Sequence, residues 1–373
     1  MCIISNTHIP KCIQINILLV LLISLNACSQ DAQNFDTTNH KTIVNASLAL
    51  VPSPPWPKGD ERGMANTLGA GTSMRCAYHL NQEEAQVYEL SHLRSNDMPS
   101  SPWAPALQYD YSTTLGVPNS NVAWHPGTKI TGKSGVQGTQ MDSFAHWGYL
   151  DEVWDGKGEF PVQDAKYYGG YTQAEVKPEA GAPLQRLGID KAHPIITSAV
   201  LLDAKTYLGK GQAMKAGQHI HGKDIEDMLA AQGLAWRGLL PGDVLYIYTG
   251  WSDNWEEEFY YRGGPGLSID AAKYLETKKV VLVAVDNPFT DAVNIDQFIG
   301  KAEPPPGTPA GVGGAPVHAY NLSHSGIHQI QNIALAQMAR DKVWTSCTVI
   351  LPIKVLGASG APVSPVAIGV PNT

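Results

Sequence analysis

Short apolar runs alternate with stretches of helical periodicity through the second half of the chain, and this alternation limits the fold more than any other feature. The predicted strands are 198–204, 243–251, 280–286 and 348–355. The predicted helices are 223–233, 268–278 and 327–339. The strand runs are almost wholly apolar, which is typical of strands buried on both faces. The sequence therefore predicts a single α/β domain with a mixed, largely buried β-sheet and flanking helices.

The N-terminal segment differs in composition from the rest of the chain. Residues 15–27 form an apolar run that is too short and too terminal for an ordinary transmembrane helix. The run ends in Leu-Asn-Ala followed by Cys28, which resembles the lipobox of bacterial lipoproteins. We expect a lipoprotein signal peptide over 1–27, lipidation at Cys28, a Pro-rich tether over 28–60 and a folded domain over 61–373. The alternative for the apolar run is an uncleaved anchor or a chance pattern.

An export signal and a lipid anchor would place the domain at a membrane surface outside the cytoplasm. Ser29 follows Cys28, and the absence of Asp at that position favours the outer membrane, with the domain facing the periplasm. In an oxidising compartment Cys76 and Cys347 can form a disulfide, and two buried free thiols are the alternative. The net charge of −8 and the lack of a run of Lys and Arg predict no nucleic-acid partner.

The stretch GTQMDSFAH carries the first candidate site residues. Asp142 and His146 lie four residues apart, and the preceding Gly138 allows a sharp turn of the backbone. A carboxylate and an imidazole close together suit Zn²⁺ or Mn²⁺, and they can also transfer protons without a metal. A turn that carries a surface histidine is the alternative. Gln140 stands where a second histidine would be a better metal ligand.

A second group of candidates follows the Pro/Gly-rich segment 300–316. His318, His324 and His328 lie close together there. His324 and His328 are four residues apart and can share a helix face, so surface or capping roles are favoured for these two. The signatures of zincins, α/β-hydrolases, P-loop enzymes and dinucleotide-binding domains are missing from the sequence.

The order of these segments resembles the cyclase family of metal-dependent hydrolases, which includes bacterial kynurenine formamidase and isatin hydrolase. The resemblance runs from about residue 120 to 370 and rests on GTQMDSFAH, LGIDKAHPIITSAVLLDA, PGDVLYIYTGW, GGPGLSIDAAKYL, VAVDNPF, GIHQIQN and ILPIKVLGASGAPVSPVAI. It implies the swivelling β/α fold of that family. The family pattern is His-x-Gly-Thr-His-x-Asp-x-x-x-His, with a later His and Glu. Carried over, it implies metal binding by Asp142 and His318 and catalysis by His146.

Three positions depart from the family pattern. Val136 and Gln140 replace the two histidines, and Gln331 replaces the later glutamate. Valine has no donor atom, and a neutral amide oxygen binds zinc poorly. The resemblance therefore implies a divalent metal, zinc or manganese, with Gln140 and Gln331 as weak ligands, so that the metal is weakly bound or absent unless His125 or His324 completes the site.

The resemblance implies hydrolysis of a small amide, lactam or lactone, as in an arylformamidase, with a metal-activated water and a proton shuttled by His146. Aromatic residues near the motifs suit a substrate with an aromatic ring: Trp147, Tyr149, Trp154, Tyr167, Tyr168 and Trp251. Two alternatives stay open. One is metal-free acid–base chemistry by Asp142 and His146, and the other is a non-catalytic exported ligand-binding protein. Relatives in the family commonly form dimers or tetramers, so we expect a homo-oligomer that binds a small molecule.

Overall fold

The computed structural model describes residues 38–102, 104–295 and 315–372. The predicted signal peptide, Cys28 and residues 300–314 of the Pro/Gly-rich segment lie outside these residues. Within the described ranges, no helix combines the length and apolar character needed to cross a membrane.

A single large β-sheet is the centre of the fold. Within the described residues it has nine strands, which in spatial order are Gln86–Glu89, Val366–Gly369, Thr345–Ile350, Ile195–Asp203, Val244–Tyr248, Leu282–Val285, His328–Gln331, Gln140–Asp142 and Gly360–Pro362. The four central strands, from Ile195–Asp203 to His328–Gln331, run parallel to one another, and the outer pairings are antiparallel. The mixed, largely buried sheet that the sequence predicts is confirmed.

Apolar side chains cover both faces of this sheet. Along Ile195–Asp203, Ala199 and Leu201 join the hydrophobic cluster on one face, and Val200 and Leu202 join the cluster on the other. Successive side chains of a strand point to opposite faces, so a strand buried on both sides favours apolar residues at every position. This explains why Val244–Tyr248 and Leu282–Val285 read as uninterrupted apolar runs in the sequence.

Helices flank the sheet, and short strands within the loops pair with one another as two-stranded ladders. The α-helices of the described residues are His40–Leu48, Ala70–Leu80, Gln173–Val176, Ala204–Tyr207, Gly222–Ala231, Ile269–Lys278, Pro316–Ala319 and Ala336–Arg340. Gly263–Gly264 pairs with Val293–Asn294, and Gly266–Leu267 pairs with His219–Ile220. Ser268 caps Ile269–Lys278 by accepting a hydrogen bond from the backbone N–H of Ala271, as its position in the sequence predicts.

The predicted helix over 327–339 is wrong in its first half. His328–Gln331 is a strand that pairs with Leu282–Val285 and with Gln140–Asp142, and only Ala336–Arg340 is helical. Every side chain of His328–Gln331 is buried, so pairing in the centre of the sheet outweighs the local helical pattern. The predicted shared helix face of His324 and His328 is therefore also wrong, because His324 lies on the preceding helical turn Tyr320–Ser325.

The folded chain begins earlier than residue 61. Helix His40–Leu48 buries Ile43 and Val44 and packs on helix Ala70–Leu80. The hydroxyl of Ser47 accepts a hydrogen bond from Arg75 Nη1 at 3.1 Å, and Arg75 is wholly buried beside Asp243. Residues 40–48 are thus part of the domain, in contrast to the predicted tether over 28–60, because their helix packs on helix Ala70–Leu80 and Ser47 bonds to the buried Arg75.

We expect acid to weaken the fold through His79, which lies buried in helix Ala70–Leu80. Burial, with smaller contributions from His40 and Arg237, lowers the pKa of His79 to about 3. The unfolded chain takes up a proton at this histidine near pH 6.5, whereas the folded chain does not. The stability that neutral His79 contributes is therefore complete above pH 6.5 and lost as the pH falls towards 3, by about 3 kcal/mol at pH 4.5.

Urea unfolding at pH 7 and at pH 4.5 measures this loss, with the variant His79→Phe as the matched comparison. Phenylalanine keeps an aromatic ring in the site but does not titrate. The variant should lose less stability than the wild type between the two pH values, and an equal loss in both proteins would contradict the assignment.

A disulfide joins Cys76 of helix Ala70–Leu80 to Cys347 of strand Thr345–Ile350.

Between strands Gln86–Glu89 and Gln140–Asp142, the chain forms an exposed hairpin arm, defined as residues 108–131. In the arm Gln108–Tyr111 pairs with Thr128–Thr131, and Leu115–Gly116 pairs with Ala123–Trp124.

Candidate active site

Two neighbouring strands bring three polar side chains to one face of the sheet. Gln140 lies directly opposite Gln331 in the antiparallel pair of Gln140–Asp142 and His328–Gln331, and Asp142 follows two residues after Gln140. Side chains at these positions point to the same face. The chain enters the strand through Gly138, which has a φ of 67° that glycine adopts readily. Arg94 fixes this turn by donating hydrogen bonds to the carbonyl oxygens of Gln137 and Thr139.

His318 reaches the same point from helix Pro316–Ala319. Asp291 accepts hydrogen bonds from the backbone N–H groups of Val317 and His318, at 2.6 and 3.2 Å. The Asp291 carboxylate also forms a short hydrogen bond with His318 Nδ1. Because Nδ1 is held by a carboxylate, Nε2 is the ring nitrogen that faces the site.

The Gln331 amide lies among these groups. Its Nε2 donates to Asp142 Oδ2 at 2.8 Å, and it is 3.3 Å from both Thr290 Oγ1 and His318 Nε2. His318 Nε2 is itself 3.6 Å from Asp142 Oδ2. The structure therefore brings together Asp142, His318 and Gln331, with the Gln331 amide donating to the carboxylate and lying against the imidazole.

The two histidines of the site have opposite pKa shifts. Burial lowers the pKa of His146, the charge of His318 lowers it further, and Asp142 only partly opposes this. Burial also lowers the pKa of His318, but the hydrogen bond and charge of Asp291 and the charge of Asp142 outweigh it and raise that pKa above its usual value. Environments that separate two pKa values in this way are typical of an acid and a base that work together.

An aromatic cleft of about 750 Å³ is lined by Trp147 and His324, although neither His146 nor His318 lines it. Its aromatic walls are Trp147, Tyr149, Trp154, Phe160 and Tyr320. The Trp147 ring lies 5.7 Å from the His318 ring and 6.2 Å from the His146 ring, measured between centroids. Pro316, at the start of the helix that carries His318, also lines the cleft. Trp147 and Pro316 therefore connect the cleft to the polar site.

Several buried polar atoms around the site have no hydrogen-bond partner within the protein. The acceptors are Gln140 Oε1, Asp142 Oδ1 and Gln331 Oε1, and the donor is the indole N–H of Trp147. Buried polar groups are normally paired, because an unpaired group costs free energy comparable to a lost hydrogen bond. These atoms are free to bind water or the polar groups of a ligand.

The residues of the site do not fit a resident zinc or manganese ion. In the described part of the chain, no group of three His, Cys, Asp or Glu side chains is arranged to hold a metal. Asp142 and His318 are the strong donors, and the Gln331 N–H group points at Asp142 where the family glutamate would offer an oxygen. Of the two histidines suggested as extra ligands, His125 lies on the exposed arm beside Thr114. His324 stacks against Tyr149 and Tyr320 in the aromatic cleft.

We expect purified protein to retain no stoichiometric zinc or manganese after dialysis, because one carboxylate and one imidazole hold a divalent ion weakly. The combined variant Val136→His, Gln140→His and Gln331→Glu should bind zinc about 100-fold or more tightly than wild type, as measured by metal titration. Adding Asp142→Asn to that variant is the control and should reverse the gain. One tightly held ion per wild-type chain would contradict the argument.

The sequence predicts Asp142, His146, His318, Gln140 and Gln331 as site residues, but not the residues that orient them. The structure brings Asp142, His318, Gln140 and Gln331 together, and the Trp147 ring lies near the rings of both His146 and His318. Asp291 and Thr290 were not predicted. The sequence signal that could have found Asp291 is its position shortly after the buried run 280–286, since the ends of parallel strands commonly carry site residues.

The fold and this site define an α/β protein with a polar centre at the edge of an aromatic cleft. The Cyclase family model matches residues 47–292, more than half of the chain. The chain therefore belongs to the Cyclase family. No curated protein sequence is significantly similar to it.

Solved structures of cyclases and isatin hydrolases have the same fold. A crystal structure of a novel cyclase has a TM-score of 0.66 and 22% identity, covering 84% of this chain and 95% of its own. An isatin hydrolase bound to the product analogue thioisatinate has a TM-score of 0.51 and 16% identity, with coverages of 78% and 94%. Isatin hydrolase A from Ralstonia solanacearum has a TM-score of 0.50 and 18% identity, with coverages of 79% and 95%. At these identities the likeness shows the fold alone.

Proposed function

We propose that this protein is a hydrolase of a small amide, lactam or lactone that carries an aromatic ring. The observation that carries the proposal is the convergence of Asp142, His318 and Gln331, a site that Trp147 and Pro316 connect to an aromatic cleft. Membership of the Cyclase family and the hydrolase structures of similar fold support the reaction class. The cleft supports the aromatic group, because flat apolar walls bind an aromatic ring through stacking and burial.

His318 is the first proton-transfer group of the proposed mechanism. The carboxylate of Asp291 fixes the orientation of its ring and the site of its Nδ1 proton. Nε2 then faces the substrate and exchanges a proton with the reacting carbonyl or the leaving group. This division of roles between a carboxylate and an imidazole is the one used by the serine hydrolase triad, although here the nucleophile is water.

His146 and Trp147 complete the proposed mechanism. Neutral His146 accepts the proton of the attacking water, because its lowered pKa leaves the ring unprotonated at neutral pH. The unpaired indole N–H of Trp147 is available to donate a hydrogen bond to the substrate. The free oxygen atoms of Gln140 and Asp142 hold the water. The bond between the carbonyl carbon and the amide nitrogen or ester oxygen is broken, and the leaving group takes up the proton from His318.

A panel of matched substrates tests the proposal on the full-length protein. Aryl formamides, aryl lactams and aryl lactones are compared with alkyl analogues, with and without EDTA. We expect at least one aryl class to be hydrolysed, with a kcat/KM that is 10-fold or more above that of its alkyl analogue and that persists in EDTA.

One result would contradict the proposed function, and another would contradict the metal-free mechanism. Binding of the aryl compounds without turnover, seen as quenching of tryptophan fluorescence, would favour the non-catalytic binding protein instead. Turnover that disappears in EDTA and returns with zinc or manganese would show that a metal, rather than the histidine pair alone, carries the reaction.

We also propose that the protein is an exported lipoprotein anchored through Cys28 and facing the periplasm. The support is the apolar run that ends in Leu-Asn-Ala-Cys. Replacement Cys28→Ser should move the protein from the membrane fraction to the soluble fraction while leaving the thermal unfolding of the domain unchanged. A wild-type protein that is soluble and carries no acyl chain would overturn the assignment.

A further inference from the structure

One wall of the aromatic cleft is an exposed loop that carries large aromatic side chains. We call it the flap and define it as residues 151–160, all of which are exposed. Trp154 and Phe160 line the cleft from the flap, and they are 41% and 46% exposed. The flap therefore presents two large aromatic rings to the cleft while much of their surface stays in water.

The flap is fixed to the domain at its base. Tyr149 and Lys166, which flank it, exchange two backbone hydrogen bonds with N–O distances of 2.9 and 2.8 Å. The Lys166 side chain also forms an ion pair with Asp151, the first residue of the flap. These contacts bring the two ends of the segment together, which is the arrangement of an Ω-loop.

Between these ends, the polar contacts of the flap are local. The Trp154 indole N–H donates to the carbonyl of Lys157 at 3.0 Å, and the Trp154 and Phe160 rings pack edge to face with centroids 5.4 Å apart. Over the part of the chain that the structure describes, no hydrogen bond or ion pair joins residues 152–160 to the protein outside the loop 149–166. Segments with so few contacts lie at the low-stability end of a fold.

Two glycines lie at the tip of the flap. Gly156 and Gly158 have φ values of 79° and 69°, which glycine adopts readily. A side-chain atom at either position would meet no atom within 4 Å, so the tip lies in open space. The flap can therefore swing about its base without breaking packing at its tip.

The opposite wall of the cleft is tied to the body of the domain. Tyr320 and His324 contribute its rings from the helical turn Tyr320–Ser325, with centroids 5.8 Å apart. The Tyr320 hydroxyl forms a short hydrogen bond with Glu276 of helix Ile269–Lys278. The cleft thus has one wall held by a neighbouring helix and one wall, the flap, held only at its base.

We propose that the flap closes over an aromatic ring bound in the cleft, and that Trp154 and Phe160 thereby select aromatic over aliphatic ligands. Closure buries the two exposed rings against the ligand, and a flat ring offers them stacking and edge-to-face contacts that an aliphatic ring lacks. A ligand that contacts the closed flap shifts the flap towards that state. The selection among substrates rests on the proposed hydrolase function, whereas closure itself requires binding but no turnover.

Limited proteolysis of the full-length protein tests closure, because Lys157 places a trypsin site in the flap with its side chain 86% exposed. The probes are formanilide and oxindole, with N-cyclohexylformamide as the saturated analogue of formanilide. Cleavage after Lys157 should be fast in the free protein and at least about 10-fold slower with a saturating aryl probe, because the closed flap is not cut. N-cyclohexylformamide should leave the rate unchanged. Cleavage after Lys129, which is 76% exposed in the hairpin arm, is the internal control and should not depend on any probe.

Replacement of the flap aromatics tests the selection. Trp154→Ala and Phe160→Ala should each raise the dissociation constant of the aryl probe at least about 10-fold in equilibrium dialysis, and should weaken the protection of Lys157. The ratio of kcat/KM for formanilide to that for N-cyclohexylformamide should fall in parallel. Trp124→Ala replaces a tryptophan that is 49% exposed outside the cleft, and it should leave the dissociation constant unchanged. Circular dichroism should show that all three variants are folded, because the replaced side chains are exposed.

The outcomes separate the flap from the proposed function. Protection of Lys157 by an aryl probe without turnover would support the flap and contradict the hydrolase. Turnover of an aryl probe without protection would overturn the flap and leave the hydrolase in place. The proposal would also fail if Lys157 resisted trypsin in the free protein, if neither aryl probe slowed its cleavage, or if N-cyclohexylformamide protected it equally well.

Discussion

Replacement of His318 by glutamine is expected to lower kcat by about 100- to 10,000-fold, the range that general acid–base groups contribute. The neutral amide retains hydrogen-bonding capacity but transfers no proton, so KM for an aryl substrate should change far less than kcat. Asp291→Asn should also lower kcat, because the amide no longer fixes the Nδ1 proton that the carboxylate holds. As a positioning residue, Asp291 should be partly rescued by Asp291→Glu. Steady-state kinetics on the best substrate of the panel measures these effects.

A more exposed histidine–carboxylate pair elsewhere in the fold provides a control for the chemistry of the replacements. His221 Nδ1 lies 2.9 Å from Asp270 Oδ1, which is a histidine–carboxylate pair outside the site. The replacements His221→Gln and Asp270→Asn should leave kcat within about two-fold of wild type. Equal losses at both pairs would indicate a general effect on folding, and full activity of His318→Gln would remove His318 from the mechanism.

Loss of the disulfide between Cys76 and Cys347 is expected to have the largest effect on stability. The bond closes a loop of 271 residues, and restriction of the unfolded chain by a loop of that length is worth about 5 kcal/mol in the chain-entropy description. The double replacement Cys76→Ala and Cys347→Ala should lower the free energy of unfolding by that order. Denaturant unfolding of wild type in dithiothreitol should show the same loss, and the double variant should be insensitive to the reductant. Labelling of both Cys76 and Cys347 by a thiol reagent in native protein, located by peptide mapping, would contradict the bond.

The central sheet could be predicted from the sequence because burial on both faces leaves little choice of side chain. Strands such as Val244–Tyr248 and Leu282–Val285 are apolar at every position, and the prediction follows directly. His328–Gln331 was predicted as a helix because its buried faces include His and Gln, which are polar side chains that rarely identify a central strand. Its structure depends on neighbours that lie far away in the sequence.

Prediction of the candidate site is limited in the same way by contacts between residues that are distant in sequence. Asp142, His146 and His318 follow from a resemblance that spans the chain, but the role of Asp291 depends on a contact that no local pattern contains. Likewise, the sequence alone shows that Gln331 stands where the family pattern has a glutamate. Only the positions of the atoms show that its amide donates to Asp142 and lies against His318.

The pairing of Gln140–Asp142 with His328–Gln331 and Gly360–Pro362 has a consequence for the order of events during folding. Asp142 and Gln331 are 189 residues apart in sequence, and the partner of Asp142 in the edge strand is Gly360. Contacts of such long range form slowly, because the loop between them must close before they gain any stabilising energy. During refolding, the recovery of catalytic activity should therefore lag behind the recovery of secondary structure. The return of hydrolytic turnover would therefore report when strand Gln140–Asp142 pairs with its two neighbours.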